Sequence, residues 1–239
     1  SGTIADFNWN FGDGSFSKNG NPTHAYTATG NYPVSLLAIS AFGCRDSITK
    51  TITVNPRPTA NFTFKNTCQD TAVKFVDGSS IATGGTITSR FWNFGDGSTL
   101  GGNTLNPSHA YATAGTYTVT LTVVSNNGCA STIVRNVTVY TLPEPNYVAN
   151  PVCQNSAMTF INTSSIGVGA MTYKWDFAGQ GNSTLTNPSH TFTGFGLLNV
   201  SLTATSSQGC VKTLTKSVQV WANPIANFTV ADVCIGEPS

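Results

Sequence analysis

The strongest constraint on the fold is that the chain repeats itself about every 83 residues. Tryptophans at one repeat position, Trp9, Trp92 and Trp175, are separated by 83 residues in both intervals. All three histidines also share one repeat position, inside an Asn-Pro-Thr/Ser-His segment: His24, His109 and His190. With this period, a chain of 239 residues is expected to form several small domains rather than one large core.

Each repeat has the pattern of a β-strand after its histidine. In the second repeat, apolar residues at 117, 119, 121 and 123 alternate with threonines at 116, 118, 120 and 122. Alternation with a period of two in a segment rich in Thr, Val and Tyr predicts a half-buried antiparallel strand. No segment has a helical period over three turns. Strands separated by Gly, Asn and Pro turns predict an all-β fold of tandem β-sandwiches of about seven strands each.

Short proline-bearing linkers at 56–58, 143–145 and 223–224 mark the domain boundaries. We predict the C-terminal part of a first repeat at 1–57, complete second and third repeats at 58–142 and 143–223, and the start of a fourth at 224–239. Because the first repeat lacks its initial strands and the fourth stops early, we expect a longer parent chain.

The composition excludes several classes of function. Charged residues make up 9% of the chain, against ~25% in average proteins, and 11 basic and 10 acidic residues leave a net charge of +1. This balance provides no basic surface for nucleic acid or for a membrane surface. No apolar run approaches the roughly 18–20 residues of a membrane span, so we expect no membrane insertion. Disorder is disfavoured because 39% of the residues are hydrophobic.

Three motifs carry a family resemblance. In the second repeat they read Trp-Asn-Phe-Gly-Asp-Gly-Ser at 92–98, Asn-Pro-Ser-His-Ala-Tyr at 106–111 and Ala-Gly-Thr-Tyr-Thr-Val-Thr-Leu-Thr-Val at 114–123. Together they resemble the PKD domain, an immunoglobulin-like β-sandwich, over essentially the whole chain. The third repeat departs from the motif, because Ala-Gly-Gln-Gly at 178–181 replaces the Gly-Asp-Gly turn and Leu198 replaces the strand tyrosine. The resemblance implies that the fold persists there without the role of that aspartate.

A narrower resemblance concerns location and partners. The low charge, the many Thr and Asn residues and the regularly placed cysteines are similar to PKD arrays in giant surface proteins of the Bacteroidota, of the SprB type of gliding motility adhesin. This resemblance implies an extracellular location at the cell surface. It implies neighbouring repeats of the same chain as partners, and extracellular polysaccharide or other surfaces as further ones.

Two hypotheses for function follow. The first is a non-enzymatic extracellular segment that forms a semi-rigid stalk or filament of a large adhesin. The alternative is a spacer or carbohydrate-binding PKD region of a secreted hydrolase. No nucleophile elbow, phosphate loop or Ser/His/Asp set interrupts the repeat, so we expect no enzymatic activity.

The polar residues of the repeat motif favour structural roles. One histidine per repeat cannot build a metal site, so a structural hydrogen bond is favoured over a metal ligand or a general base. Asp13 and Asp96 are expected to order a hairpin turn through side-chain to backbone hydrogen bonds. Calcium at these aspartates is the alternative, but calcium requires six or more oxygen ligands. We therefore expect no cofactor.

The tryptophans precede a phenylalanine on a central strand, which favours a place in the core over a platform for stacking sugars. No catalytic or metal-binding residue is assigned. The residues given a structural role in the repeat motif are Trp9, Asp13, His24, Trp92, Asp96, His109, Trp175 and His190.

Six cysteines are regularly spaced in the repeats. One set follows a glycine in the last hairpin of each repeat: Cys44, Cys129 and Cys210. The other set follows each of these after 24 residues: Cys68, Cys153 and Cys234. Regular cysteines in a secreted repeat array predict disulfides, with six free thiols as the alternative.

The immunoglobulin-like resemblance bears on how the cysteines pair. It implies that the first loop and the last hairpin of one sandwich lie at opposite ends. A strand of about seven residues spans roughly 23 Å, whereas the Cα atoms of a disulfide lie within about 7 Å. This favours a bond between repeats, Cys68 with Cys210, and leaves Cys68–Cys129 with Cys153–Cys210 as the alternative.

Two short motifs resemble the acceptor site of the general O-glycosylation system of the Bacteroidota. They are Asp-Ser-Ile at 46–48 and Asp-Thr-Ala at 70–72. The resemblance implies Ser47 and Thr71 as glycan acceptors, with coincidence as the alternative in a chain this rich in Ser and Thr.

Overall fold

The chain is described by a computed structural model that covers residues 3–230, 232 and 235. This part contains β-strands and no helix, which confirms the predicted all-β fold. Accordingly, none of the described residues belongs to a helix long and apolar enough to cross a membrane. Cys234 lies outside the described residues, as do other positions at the end of the predicted fourth repeat.

The first repeat forms one antiparallel sheet in the order β2-β1-β3-β4. Its strands are β1 (Ile4–Asn10), β2 (Phe16–Ser17), β3 (Gly30–Ser40) and β4 (Arg45–Val54). The long hairpin of β3 and β4 pairs Gly30 with Val54 at one end and Ile39 with Arg45 at the other. Trp9 on β1 is half-buried, because the described part of this repeat contains no second sheet to cover it.

The second repeat forms two sheets, in the orders β10-β7-β5 and β6-β12-β11-β8-β9. Its strands are β5 (Phe62–Phe64), β6 (Thr67–Cys68), β7 (Val73–Asp77), β8 (Ile87–Asn93), β9 (Thr99–Leu100), β10 (Ser108–His109), β11 (Gly115–Ser125) and β12 (Ala130–Tyr140). Side chains from the two sheets meet, since the Phe62 and Phe75 rings lie 5.2 and 5.5 Å from the Trp92 ring, centroid to centroid.

The third repeat has the same topology, with sheets in the orders β13-β15-β18 and β14-β20-β19-β16-β17. Its strands are β13 (Tyr147–Ala149), β14 (Val152–Cys153), β15 (Ala157–Asn162), β16 (Met171–Phe177), β17 (Asn182–Ser183), β18 (Ser189–Thr191), β19 (Gly196–Ser206) and β20 (Val211–Trp221). Trp175 and Phe160 lie at the centre of its core and are 0% exposed. Both complete repeats are therefore two-sheet sandwiches with an aromatic core.

The first strand of each complete repeat changes sheet part of the way along. In the second repeat, β5 pairs with β7 in the smaller sheet, and β6 then runs parallel to the end of β12, with Cys68 opposite Tyr140. In the third repeat, β14 pairs with β20 in the same way, with Cys153 opposite Trp221. This switch places one cysteine of each repeat at the end of the larger sheet.

The chain divides into two compact units. The first contains Ser1–Lys65, Ala72–His109 and Thr116–Val137. The second contains Asn66–Thr71, Ala110–Gly115 and Thr138–Ser239. The second repeat contributes to both units, and the segment that carries Cys68 belongs to the second.

Trp92 is expected to be the residue whose truncation destabilises the second repeat most. Its side chain is 1% exposed, so Trp92→Ala should lower the free energy of unfolding by roughly 3–5 kcal/mol. Phe91→Ala is the matched control: it lies next along β8, its side chain is 51% exposed, and its loss should change stability by about 0.5 kcal/mol or less. Denaturant titration of both variants checks this, and equal midpoints would contradict the placement of Trp92 in the core.

Candidate functional site

The Gly-Asp-Gly turn is ordered by side chains that cap its backbone. In the second repeat, the Asn93 side chain accepts a hydrogen bond from Gly95 N at 2.9 Å, and Asp96 Oδ1 accepts one from Ser98 N at 2.9 Å. In the first repeat, the Asn10 side-chain oxygen Oδ1 and the Asp13 carboxylate oxygen Oδ1 accept the same two hydrogen bonds. Gly95 is required, because its φ is +83° and a Cβ would lie 2.6 Å from the Thr118 carbonyl oxygen.

The turn brings each of these aspartates to a histidine. The distance from His24 Nε2 to Asp13 Oδ2 is 2.6 Å, and that from His109 Nε2 to Asp96 Oδ2 is also 2.6 Å. The imidazoles of His24 and His109 stack on the phenylalanine of the turn, with ring centroids 4.2 Å apart in both repeats. The histidine therefore joins the turn to the Asn-Pro-Thr/Ser-His segment.

The carboxylates of these pairs are held ionised. The hydrogen bond with His24 lowers the pKa of Asp13 below its ordinary value. Burial by itself would raise the pKa of Asp96, but hydrogen bonds from His109 and Ser98 outweigh it and the pKa is lowered.

The third repeat keeps the histidine and lacks the aspartate. His190 stacks on Phe177 with ring centroids 4.4 Å apart, yet its Nε2 atom is buried without a hydrogen-bond partner. Burial lowers the pKa of His190, so this imidazole is neutral near pH 7. The turn itself has a different backbone, with positive φ values at Ala178 and Gly179.

Within residues 3–230, 232 and 235, no group of three or more His, Cys, Asp or Glu side chains could hold a metal ion. Trp92 and Trp175 are 1% and 0% exposed, so neither ring is available to stack on a sugar. The repeat motif therefore contributes to packing and to turn geometry.

The structure joins Cys68 and Cys210 in a disulfide, with Cα atoms 5.7 Å apart and a sequence separation of 142 residues. Cys68 belongs to the second repeat and Cys210 to the third. Cys210 is 1% exposed, and its amide donates a hydrogen bond to Ser206 Oγ at 3.0 Å. The alternative pairs are not formed, because Cys129 and Cys153 are free, as is Cys44.

The predicted glycan acceptors are accessible. Ser47 lies on β4 and Thr71 in the turn after β6, and both side chains are exposed. The amide of Thr71 donates to the Cys68 carbonyl at 3.1 Å, which places this residue beside the disulfide. Glycosylation of Ser47 and Thr71 stays a prediction.

Two kinds of polar contact were not foreseen from the sequence. The His–Asp pairs join residues 11 and 13 positions apart across a loop, and the only sequence signal was that the two residue types recur together in two repeats. Arg90 Nε also donates to Asp77 Oδ2 at 2.5 Å inside the second repeat, where both side chains are buried. No repeat pattern indicated this pair, because Tyr173 and Asn162 occupy these positions in the third repeat.

Parts of known proteins are similar to this chain in sequence. A family model described as "PKD domain" matches residues 1–56, 55–139 and 141–222. Collagenase ColA of Bacillus cereus is 39% identical over 72 residues, which are 30% of this chain and 7% of that protein. The chain thus spans a small fraction of the length of this relative.

Solved structures of single domains are similar to part of the chain. The PKD1 domain of Vibrio anguillarum Epp is 34% identical, with a TM-score of 0.33, and the match covers 36% of this chain and 96% of that domain. The PKD1 domain of the Vibrio cholerae metalloprotease PrtV is 32% identical, with a TM-score of 0.31, and covers 36% of this chain and 98% of that domain.

Acidification is expected to destabilise the third repeat through His190. Burial lowers the pKa of His190 below 6.5, its ordinary value, which the unfolded chain retains. The full stability is therefore present above pH 6.5 and is lost as the pH falls through the folded-state pKa. An NMR titration of the His190 imidazole should give a midpoint below 6.5, and a midpoint at or above that value would contradict its burial as a neutral ring.

Two variants separate this effect from that of the His–Asp pairs. His190→Gln should remove the loss of stability that begins near pH 6.5. Asp96→Asn should leave that loss in place, because the pKa of Asp96 is lowered from 3.8 and its contribution disappears only below that pH.

Proposed function

Because the chain belongs to the PKD domain family, we propose that it is a non-enzymatic extracellular segment that forms a semi-rigid stalk or filament of a large cell-surface adhesin. The observation that carries this proposal is the Cys68–Cys210 disulfide between the second and third repeats. A stalk has to transmit tension without losing its folded domains, and the position of this bond in the chain meets that requirement.

The disulfide changes the path of a pulling force. When the chain is pulled from its two ends, tension reaches residue 68, crosses the sulfur–sulfur bond and leaves through residue 210. Residues 69–209 lie outside this path, and they include most strands of both complete sandwiches. The bond also restricts the unfolded chain, which on the chain-entropy model is worth about 5 kcal/mol for a loop of this length.

The same bond supports an extracellular location, since disulfides persist in oxidising compartments. More specifically, we propose that the chain lies at the cell surface, in a PKD array of the gliding adhesin type. Its support is the regular cysteine spacing and the low charge of 9%. The partners in this proposal are neighbouring repeats of the same chain, together with extracellular polysaccharide or other surfaces.

A spacer or carbohydrate-binding region of a secreted hydrolase is the second candidate. It is favoured by the match to a collagenase, which is 39% identical over 72 residues. The sequence of the full-length parent protein separates the two candidates: a catalytic domain beside these repeats would favour the hydrolase, and a long run of further repeats would favour the stalk.

We propose further that the fold needs no calcium or other cofactor. Asp13 and Asp96 each use one carboxylate oxygen for a backbone amide and the other for histidine, so both oxygens already have protein donors. Chelation of divalent ions should leave the thermal unfolding midpoint unchanged. The proposal would be contradicted if chelator lowered the unfolding midpoint of the unaltered chain and calcium restored it. In that case, neither treatment should change the midpoint of the Asp13→Asn and Asp96→Asn variants.

Force spectroscopy tests the stalk. In the oxidised chain pulled from both ends, the contour length released on unfolding should be short by roughly 500 Å, the extended length of about 142 residues at ~3.6 Å each. Reduction, or the Cys68→Ser variant, should restore the missing length, whereas Cys153→Ser should behave like the unaltered chain. Release of the full length by the oxidised chain would contradict the proposed role of the disulfide in transmitting tension.

A further inference from the structure

We infer that a groove on the outer face of the larger sheet of the second repeat binds a neutral polysaccharide, whose sugar rings stack on Phe91. The chemical class is a β-1,4-linked chain of glucose or N-acetylglucosamine units. The inference rests on the proposed function, in which extracellular polysaccharide is a partner, and it gives that partner a site. Its support is that an exposed ring, an inserted loop segment and a buried ion pair occur together in the second repeat.

The groove has a volume of about 550 Å³ and is formed by β8, β9 and β11. This volume lies within the range of about 300–1,000 Å³ that is typical of ligand sites. The Phe91 ring forms its apolar part, and the amide and hydroxyl groups of Asn93, Thr120 and Thr122 lie along the paired strands beside the ring. All the residues that line the groove are uncharged.

The exposed ring is specific to the second repeat. Phe91 directly precedes the core tryptophan Trp92, whereas Asn8 and Lys174 precede the corresponding tryptophans of the first and third repeats. Successive side chains of a strand point to opposite faces, so Phe91 points away from the core that contains Trp92. The ring is therefore accessible to a ligand on the outer face of the sheet.

An inserted segment forms one edge of the groove. In each repeat the core tryptophan donates its indole N–H to a carbonyl in the loop after the short edge strand. The acceptors in the first and third repeats, Asn19 and Leu185, lie two residues after the ends of β2 and β17. The acceptor in the second repeat, Thr104, lies four residues after the end of β9. The second repeat therefore has two additional residues at this edge.

Two glycines in this segment keep the groove open beside the ring. A Cβ at Gly101 would lie 3.4 Å from the Cδ1 and Cε1 atoms of Phe91. Gly102 has a φ of +112°, and its carbonyl accepts a hydrogen bond from Arg90 N at 2.7 Å. Because neither glycine carries a side chain, a sugar can approach the ring from this edge.

A buried ion pair anchors the inserted segment. The Arg90 guanidinium donates through Nη1 to the side-chain oxygen of Asn103, and through Nε to Asp77 Oδ2 at 2.5 Å. In the third repeat, Tyr173 and Asn162 occupy the positions of Arg90 and Asp77. The ion pair is therefore absent from the repeat that also lacks the exposed ring and the two additional residues.

The polar groups of the groove are held in position before a ligand arrives. Thr122 Oγ1 lies 2.8 Å from Thr132 Oγ1 on β12. Asn93 Oδ1 accepts a hydrogen bond from Gly95 N at 2.9 Å, which orients the Asn93 amide nitrogen as a donor. Binding to side chains that are already ordered costs less conformational entropy than binding to mobile ones.

These features suit the two kinds of surface on a pyranose ring. In β-1,4-linked glucose and N-acetylglucosamine the ring substituents are equatorial, so each face of the ring carries only C–H groups and the hydroxyls project from its edge. A C–H face stacked on Phe91 is removed from water, and the hydroxyls exchange hydrogen bonds with the threonines and Asn93. A charged polymer would lose hydration without gaining an ionic partner in this uncharged groove.

The test is an NMR titration of the full chain with cellohexaose and with hexa-N-acetylchitohexaose. At least one of them should cause saturable shifts of the amide signals of Phe91, Asn93 and Thr122. Maltohexaose, which is curved by its α-linkages, and a hexamer of galacturonic acid, which is charged, should bind about tenfold more weakly or not at all.

Two variants of the groove and one control locate the binding. Phe91→Ala should weaken it about tenfold, whereas Phe91→Trp should bind at least as tightly as the unaltered chain. Gly101→Val keeps the ring but places a branched side chain against it, and should also weaken binding about tenfold. Phe195→Ala is the matched control, because Phe195 is an exposed aromatic residue of the third repeat, and it should leave the affinity unchanged.

The inference is overturned if neither β-1,4-linked hexasaccharide binds, which is the result expected if Phe91 only shields the edge glycine Gly101. It is also overturned if Phe91→Ala binds like the unaltered chain, or if Phe195→Ala weakens binding equally. Phe91→Ala leaves the Cys68–Cys210 disulfide in place. Force spectroscopy on this variant therefore still tests the stalk, so failure of the sugar site and failure of the stalk are distinguishable.

Discussion

The arrangement of both complete sandwiches depends on a first strand that changes sheet. Its first half pairs antiparallel within the smaller sheet, as β5 does with β7, and its second half pairs parallel with the last strand of the larger sheet, as β6 does with β12. The first half contributes Phe62 or Tyr147 to the aromatic core beside the central tryptophan. The second half covers the edge of the larger sheet, an edge that would otherwise present unpaired backbone groups. The cysteine lies at the end of this second half, so the same switch that completes the sandwich also places the thiol for a bond to another repeat.

The sequence alone was sufficient to predict the strands, but it was not sufficient to predict every contact between them. Alternation at 116–123 predicts β11 because a strand turns successive side chains to opposite faces, and Val119, Leu121 and Val123 are buried while Tyr117 is half-buried. The His–Asp pairs could not be predicted in this way, because Asp96 and His109 are 13 residues apart and meet only through the fold of an irregular loop. For the cysteines, the sequence left two pairings open. Which end of a sandwich a loop occupies depends on where its strands stop, and periodicity locates strand ends poorly.

The low charge of the chain has a structural counterpart on the hairpins that form the larger sheets. Hydroxyl groups opposite each other on β19 and β20 form hydrogen bonds, Ser201 with Thr215 at 2.8 Å and Thr203 with Thr213 at 2.9 Å. Thr122 and Thr132 form the equivalent bond at 2.8 Å in the second repeat. Cross-strand pairs of this kind stabilise a sheet without ionic groups. A surface made of them is insensitive to salt and to pH, unlike one that depends on exposed ion pairs.

The third repeat indicates which parts of the motif the fold requires. It lacks the aspartate of the turn, yet His190 keeps the stacking on Phe177 that His109 makes on Phe94. It also keeps a cation over the aromatic ring of the first strand, with Lys216 Nζ 5.1 Å from the Tyr147 ring where the second repeat has Arg135 5.7 Å from the Phe62 ring. Both cations reach the asparagine that precedes this ring, through Asn146 Oδ1 at 2.6 Å and Asn61 Oδ1 at 3.0 Å. The geometry of ring, cation and asparagine is therefore conserved between the two repeats while the chemical identity of the cation changes. The His–Asp hydrogen bond of the turn can be lost, since its absence leaves the ring stacking and the two-sheet core in place.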